Sequence, residues 1–119
     1  MQPPFTTFVA SRFINREAVV EALRQAAQEA ARRCDSVDAI FLFGSFAHGT
    51  PTPRSDADVL IGIRGAASWD RVRDCCFDVF LSVPVPVELF VQTWSEIEES
   101  RQADRGLAAT ALRHAVRLV

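Results

Sequence analysis

The amino-acid sequence predicts an α/β protein (α+β in its layering) in which helices flank a small mixed β-sheet. Three observations support this fold class: some segments carry apolar residues at helical spacing, other short apolar runs have the length of strands, and the two kinds are interspersed. The chain has 119 residues, of which 49% are hydrophobic and 24% charged. That length and composition are typical of a globular domain, so we expect one domain over residues 1–119.

The first half of the chain predicts one helix and two strands. Asn15 is a suitable N-cap for a helix that extends to Cys34, because the apolar residues after it recur every three or four positions. A short apolar run over Val37–Phe43 predicts a buried strand that ends at Gly44. After a loop with two prolines, a second strand is predicted over Ser55–Ile63.

The second half predicts one further strand between helices. An amphipathic pattern indicates a helix over Ser68–Leu81, and a strand over Val87–Gln92 follows a pair of prolines. Thr93 and Glu96 have the T-x-x-E spacing of a capping box, which predicts the start of a short helix. The last apolar pattern predicts an amphipathic helix over Leu107–Leu118.

Charge and composition exclude several classes of function. The formal net charge of −2 argues against direct binding to nucleic acid, because phosphate binding needs an excess of basic residues. All thirteen basic residues are arginine, so any mechanism that needs a lysine amine is excluded. The N-terminal residues do not resemble a signal peptide, and no apolar run approaches the ~18 residues of a membrane span. We therefore expect a cytoplasmic protein with no membrane partner.

Two groups of residues predict structure rather than chemistry. The cysteines are odd in number and lack C-x-x-C spacing, so we expect reduced thiols instead of disulfides or a zinc site: Cys34, Cys75 and Cys76. The first fourteen residues carry three phenylalanines that we expect to cover the core, or alternatively to face a partner: Phe5, Phe8 and Phe13.

Three acids form the first candidate site. Asp56 and Asp58 are two residues apart at the start of a predicted strand, so their carboxylates project from the same face with Cα atoms about 6.6 Å apart. Adjacent negative charges are costly unless cations hold them, and two divalent ions suit oxygen ligands at this spacing. Glu88 lies in an apolar run of the next strand and completes the cluster if the strands are neighbours. The alternatives are solvated aspartates at a strand end, and Glu88 on an exposed edge.

Gly44 and Ser45 are candidates for binding phosphate. They follow a buried strand, where glycine lets the backbone approach a phosphate closely and the serine hydroxyl can donate to its oxygens. The G-x-x-x-x-G spacing of Gly44 and Gly49 matches that of a P-loop, but Thr50 stands where a P-loop requires lysine, so this motif is excluded. Arg54 precedes the acids and is a candidate phosphate contact, the alternative being a solvated loop arginine.

These residues together resemble a known family. The stretch GSFAHGTPTPRSDADVL, followed by an acid on a third strand, is similar to the nucleotidyltransferase superfamily of DNA polymerase beta. The length of the chain resembles that of the minimal nucleotidyltransferases (MNT) in particular. The resemblance implies a mixed β-sheet and a transfer of a nucleotidyl group from ATP or another NTP. It also implies two Mg²⁺ ions as cofactors, with Mn²⁺ as a substitute.

The resemblance also implies roles for individual residues. Gly44 and Ser45 are expected to hold the triphosphate, and Asp56 and Asp58 are expected to bind both metals. Glu88 aligns with the third acid of the family, which binds one metal and helps to deprotonate the attacking hydroxyl. Many members carry aspartate at that position, so the longer glutamate is a departure that affects the expected metal geometry.

A partner protein is implied as well. Proteins that resemble this one are commonly paired with a small helical HEPN protein, and some are similar to antitoxins that transfer AMP to a tyrosine of that partner. The chain itself contains no tyrosine, which fits modification of another protein. Two alternatives remain open. One is a non-catalytic module that neutralises a HEPN partner by contact, and the other is a small-molecule nucleotidyltransferase, whose relatives usually have an additional acceptor domain.

Overall fold

Helices and strands alternate along the part of the chain that the structure describes. The structure is a computed structural model, and it describes residues 15–49, 51, 55–65 and 69–119. In chain order the elements are α1 (Arg16–Arg33), β1 (Val37–Phe43), α2 (Ser45–His48), β2 (Ala57–Ile63), α3 (Trp69–Phe80), β3 (Val87–Thr93), α4 (Trp94–Ala103), α5 (Leu107–Leu112) and β4 (Val116–Arg117). No helix within these ranges combines the length and apolarity needed to span a bilayer. Three expectations concern residues outside the ranges: the N-terminal phenylalanines, Arg54, and the cap at Ser68.

The four strands form one mixed sheet in the order β3-β2-β1-β4. Strand β1 runs antiparallel to both of its neighbours, whereas β2 and β3 run parallel. Parallel strands need a crossover connection, which α3 provides between β2 and β3. The predicted mixed sheet is therefore confirmed. Strand β2 begins at Ala57, two residues later than predicted, and the Ala57 N–H donates to the carbonyl of Pro86 at 2.8 Å.

Helices cover both faces of the sheet, as predicted. On one face, α1 and α3 pack over a large apolar cluster that includes Val19, Leu23, Ala27, Ile40, Leu42, Val59, Ile61, Val72, Cys76 and Phe80. On the other face, α4 and α5 cover a smaller cluster of Leu60, Ile97, Ala108 and Ala111, against which Phe41, Phe43, Phe90, Trp94 and Leu112 pack. Every residue of the central strand β2 is buried except Asp58, which is partly exposed.

Capping signals in the sequence operate as predicted. At the start of α1, Oδ1 of Asn15 accepts a hydrogen bond from the Ala18 N–H at 3.1 Å. At the start of α4, Oγ1 of Thr93 accepts from the Glu96 N–H at 3.1 Å, and the Glu96 carboxylate accepts from the Thr93 N–H at 2.8 Å. These bonds satisfy backbone N–H groups that the first turn of a helix leaves without partners.

The C-terminal segment differs from its prediction. We expected one helix over Leu107–Leu118, but α5 ends at Leu112 and the strand β4 follows. Strand β4 pairs with β1, and the Leu118 N–H donates to the carbonyl of Ile40 at 2.8 Å. The unpaired backbone groups of an edge strand favour a partner strand, and this pairing outweighs the helical spacing of the apolar residues.

The three cysteines are free thiols in the structure. Cys34 and Cys76 are buried, and Cys75 is partly buried. Burial, with a contribution from the neighbouring thiols, raises the pKa of Cys34 to about 11 and that of Cys76 to about 12. Both thiols are therefore protonated at neutral pH, which fits a role in packing rather than in nucleophilic chemistry.

The capping box predicts a measurable contribution to stability. Thr93→Ala removes the hydroxyl that accepts from the Glu96 N–H, so we expect the free energy of unfolding to fall by about 1 kcal/mol. Thr110→Ala is a matched control, because Thr110 is exposed inside α5 and alanine favours a helix. Urea denaturation of both variants tests the prediction, and an equal change in the two would contradict it.

Candidate active site

The candidate site lies at one end of the sheet, where β1 terminates and where β2 and β3 begin. The antiparallel register of β1 on β2 sets Phe43 opposite Asp58. The parallel register of β2 on β3 sets Asp58 opposite Glu88. Gly44 directly follows β1, so it lies at the same end of the sheet as both acids.

Asp58 and Glu88 are direct register partners on neighbouring strands, so their side chains project from the same face with backbones about 4.8 Å apart. Glu88 is exposed. The alternative of an exposed edge position therefore describes Glu88, because β3 is an edge strand and leaves this side chain in contact with solvent. Asp56 is also exposed and lies immediately before β2 rather than within it.

Negative charge is concentrated around Asp58. Burial raises the pKa of Asp58 above its ordinary value, and the carboxylates of Glu88 and Asp56 raise it further. Phe43, the register partner of Asp58, packs against Phe90 with ring centres 5.6 Å apart, and this apolar pair adjoins the acid. Among the described residues, no arginine forms an ion pair with any of the three acids. The three carboxylates therefore repel one another.

Gly44 packs directly against Asp58. Its φ is +77°, and a Cβ atom at this position would overlap Oδ2 of Asp58. Both facts require glycine, since other residues rarely adopt this backbone conformation. Ser45 opens α2, a single turn in which the His48 N–H donates to the Gly44 carbonyl at 3.0 Å. This turn places Ser45 one residue from the contact between Gly44 and Asp58.

Arg16 holds α2 in place, a role that we did not predict. Its Nε donates to the carbonyl of Phe46 at 2.6 Å, and its Nη2 donates to the carbonyl of Ala47 at 3.2 Å. The side chain of Phe46 is fully buried, so the turn is anchored on both sides. Arg16 begins α1, thirty positions before Phe46, and no local motif in the sequence indicates this contact.

The sequence of the chain matches a known domain family, and its fold resembles that of a solved structure. A model of the nucleotidyltransferase domain family matches residues 20–113, which include Gly44, Ser45 and the three acids. The chain belongs to this family. The crystal structure of a candidate nucleotidyltransferase from Sulfolobus solfataricus is similar to this nucleotidyltransferase-domain protein in fold, with a TM-score of 0.62 and 16% sequence identity over 90% of this chain and 85% of the other.

A further solved structure is more distant. The crystal structure of a toxin–antitoxin with AMP-PNP matches this nucleotidyltransferase-domain protein with a TM-score of 0.43 and 14% identity, over 89% of this chain and 73% of the other. At that TM-score, the likeness supports no inference. No curated protein matches the chain. The family resemblance found in the sequence is confirmed by the family match alone.

The donor set of the acids fits a hard divalent cation. Within the described ranges, no group of three His, Cys, Asp or Glu side chains is already arranged to hold a metal ion. The chemistry nevertheless suits Mg²⁺ or Mn²⁺, because the three acids supply only oxygen donors and lack paired arginines among the described residues. Burial, and then the charges of Glu88 and Asp56, raise the pKa of Asp58. A cation between the acids would relieve the repulsion among them.

The contact of Gly44 with Asp58 predicts a strong effect of one methyl group. Gly44→Ala forces a side chain into a positive φ and against the carboxylate, so the free energy of unfolding should fall by about 1–3 kcal/mol. Gly65→Ala is the matched control, because nothing lies within 4 Å of a Cβ at that position. It should change stability by less than about 0.5 kcal/mol in urea denaturation. Similar losses in both variants would be evidence against the close contact.

The raised pKa of Asp58 predicts a pH-dependent gain from its neutral isostere. The fold disfavours the ionised carboxylate of Asp58, which lowers the free energy of unfolding. This loss of stability is absent well below the ordinary pKa of 3.8 and is complete once the pH exceeds the raised pKa. Asp58→Asn should therefore raise the stability of the metal-free nucleotidyltransferase-domain protein at pH 7, and this gain should vanish near pH 3. Asp78→Asn, at an exposed position of α3, should give no such gain. Urea denaturation at both pH values tests this, and an Asp58→Asn gain that is independent of pH would refute it.

Proposed function

We propose that this protein is a metal-dependent nucleotidyltransferase that transfers AMP from ATP to a hydroxyl of a partner protein. We further propose that the partner is a HEPN toxin, that the acceptor is a tyrosine, and that the protein acts as a cytoplasmic antitoxin. The observation that carries the catalytic part is the register of three strands. It brings Gly44, Asp58 and Glu88 to one end of the sheet in a chain that belongs to the nucleotidyltransferase domain family.

The acids would hold the metal ions. Asp56 and Asp58 supply carboxylates on both sides of the β2 start, and Glu88 adds a third from β3. Bound divalent ions supply charge neutralisation at the leaving pyrophosphate and acidify an acceptor hydroxyl. Glu88 is the register partner of the more buried Asp58, and the length of a glutamate side chain would let its carboxylate share a metal ion with that acid.

The remaining groups bind and orient the reactants. In the proposed reaction, Gly44 and Ser45 bind the triphosphate, since a glycine without a side chain leaves the backbone accessible beside Asp58. The acceptor oxygen forms a bond to the α-phosphorus, and the bond from that phosphorus to the bridging oxygen breaks to release pyrophosphate. Glu88 takes the proton of the acceptor hydroxyl. Arg54 is proposed to contact phosphate, because arginine is always charged and binds phosphate oxygens in a bidentate way.

An exposed apolar surface supports a protein as the acceptor. Phe77 and Leu81 are 57% and 65% exposed at the end of α3, which is unusual for large apolar side chains. They line a groove of about 350 Å³ that continues along the segment before β3 to Val87. The side chains of Val87 and Leu89 alternate with Glu88 along β3, so the groove and the acids lie on opposite faces of this edge strand. Apolar patches of this kind mark sites of protein contact.

The same surface favours one alternative, a protein that neutralises its partner by contact without catalysis. Exposed apolar side chains serve binding whether or not transfer follows. Nucleotidyl transfer and neutralisation by contact differ in what they require of the acids, because contact alone does not need three carboxylates at one end of the sheet. A small-molecule acceptor finds no comparable support, because the groove lies on the face of β3 opposite the acids.

The transfer reaction itself is testable. With labelled ATP, Mg²⁺ and a cognate HEPN protein, the wild type should label the partner and release pyrophosphate. Asp56→Ala and Glu88→Ala should each lower the rate at least about a hundredfold, since metal-held charge contributes several kcal/mol to the barrier reduction. Quantifying labelled partner and pyrophosphate together checks that one is released for each transfer.

Two controls separate loss of chemistry from loss of structure or binding. Glu99→Ala removes an exposed acid of α4 and should retain the wild-type rate. Complex formation with the partner, measured by size-exclusion chromatography, should persist in Asp56→Ala and Glu88→Ala. Tight binding by the wild type without transfer of label from any NTP would overturn the enzymatic proposal and favour neutralisation by contact.

A further inference from the structure

The only two histidines of the chain lie side by side. His48 ends α2 and His114 lies in the turn after α5, yet their ring centres are 5.1 Å apart with an angle of 74° between the ring planes. Both side chains are exposed. Neither has a part in the proposed transfer reaction.

The pairing of β4 with β1 explains this proximity. Leu42 lies opposite Val116 in the antiparallel register, so the chain two residues before Val116 runs level with Gly44. There the C-terminal segment meets α2, which starts immediately after Gly44. The backbone thus fixes the positions of both histidines. The pairing of β4 with β1 places His114, and the contacts of Arg16 and the buried Phe46 hold α2, which carries His48.

The separation of the rings matches that of two imidazoles on one tetrahedral ion. With Zn–N bonds of about 2.0–2.1 Å and tetrahedral angles, the two ring centres lie roughly 5.2 Å apart. We propose that His48 and His114 form a binding site for a borderline divalent ion of the Zn²⁺ class. Imidazole nitrogens suit Zn²⁺, Ni²⁺ and Cu²⁺, whereas Mg²⁺ prefers oxygen donors, so this site differs in ligand preference from the acids.

The surroundings leave room for an ion and for its remaining ligands. The histidines line an open surface depression of about 420 Å³ together with Ala47 and Ala115, so an ion can enter without rearrangement of the fold. In the described ranges, no third His, Cys, Asp or Glu side chain joins the pair. The nearby carbonyls of Phe46 and Ala47 already accept from Arg16. In the proposed site, water would complete the coordination, and the bound ion would link α2 to the C-terminal segment.

Because the chain has no other histidine, NMR can observe the site directly. In protein produced without a polyhistidine tag, one equivalent of Zn²⁺ at pH 7.5 should shift or broaden the imidazole signals of both residues. A large excess of Mg²⁺ should leave them unchanged. His48→Gln and His114→Gln should each weaken Zn²⁺ binding in calorimetry at least about tenfold, since even changes outside the ligand shell cost 10–100-fold. Both positions are exposed, so these variants should retain the wild-type melting temperature without metal.

Two further variants test the competing donors. Cys75→Ser alters the thiol group and Asp58→Asn alters the acid cluster, and the response of both imidazole signals to Zn²⁺ should persist in each. The proposal is overturned if only one imidazole signal responds, or if neither does, as packing of two rings alone would predict. It is equally overturned if Zn²⁺ affinity is unchanged in the glutamine variants or is lost in Cys75→Ser.

Discussion

The register of β2 between its two neighbours is the constraint on which the site depends. One pairing sets the last residue of β1 opposite Asp58, and the other sets Glu88 opposite the same residue. A shift of either strand by one position would turn its side chains to the opposite face of the sheet and separate the groups. The register is in turn fixed by burial, because the residues of β2 that follow Asp58 are all buried between layers of helices.

The dependence of the site on strand register explains how the fold tolerates three acids that have no arginine partner among the described residues. The energetic cost at Asp58 arises from partial burial and from the charges of Glu88 and Asp56, all at the start of one strand. The opposing contribution comes from elsewhere, mainly from the apolar cluster beneath α1 and α3. The requirement for glycine at position 44 and the repulsion among the acids are thus confined to one end of the sheet, whereas most of the stabilising contacts lie along its body.

Much of this arrangement was predictable because its signals are local. Asn15 and the pair of Thr93 and Glu96 act within one helical turn, so neighbouring residues determine their role. The mixed sheet with flanking helices followed from periodicity. The strand β4, by contrast, depends on an unpaired edge of β1 far away in the sequence, which a helical pattern over Leu107–Leu118 cannot reveal.

Within the site, the same distinction between local and distant contacts holds. Gly44, Asp56 and Asp58 form a short motif that sequence analysis can recognise, and their roles in catalysis remain a prediction. The exposure of Glu88 follows from the edge position of β3, so its apolar neighbours in sequence were misleading. The contacts of Arg16 and His114 join residues 30 or more positions apart, and only the folded chain brings them to α2.

The linear order of the site across the sheet has a consequence for the proposed reaction. Gly44 follows β1, Asp58 lies on β2 and Glu88 lies on β3, so about 10 Å separates the strand that leads to the phosphate-binding turn from the strand that carries Glu88. In-line transfer requires the attacking oxygen and the leaving pyrophosphate on opposite sides of the α-phosphorus. A triphosphate held at Gly44 and Ser45 places the leaving group toward β1, which assigns the β3 side to the acceptor. That side ends at the edge strand β3, where Glu88 is exposed on one face and the groove of Phe77 and Leu81 lies against the other. The proposed acceptor can therefore approach from solvent without crossing the nucleotide, as a large partner protein requires.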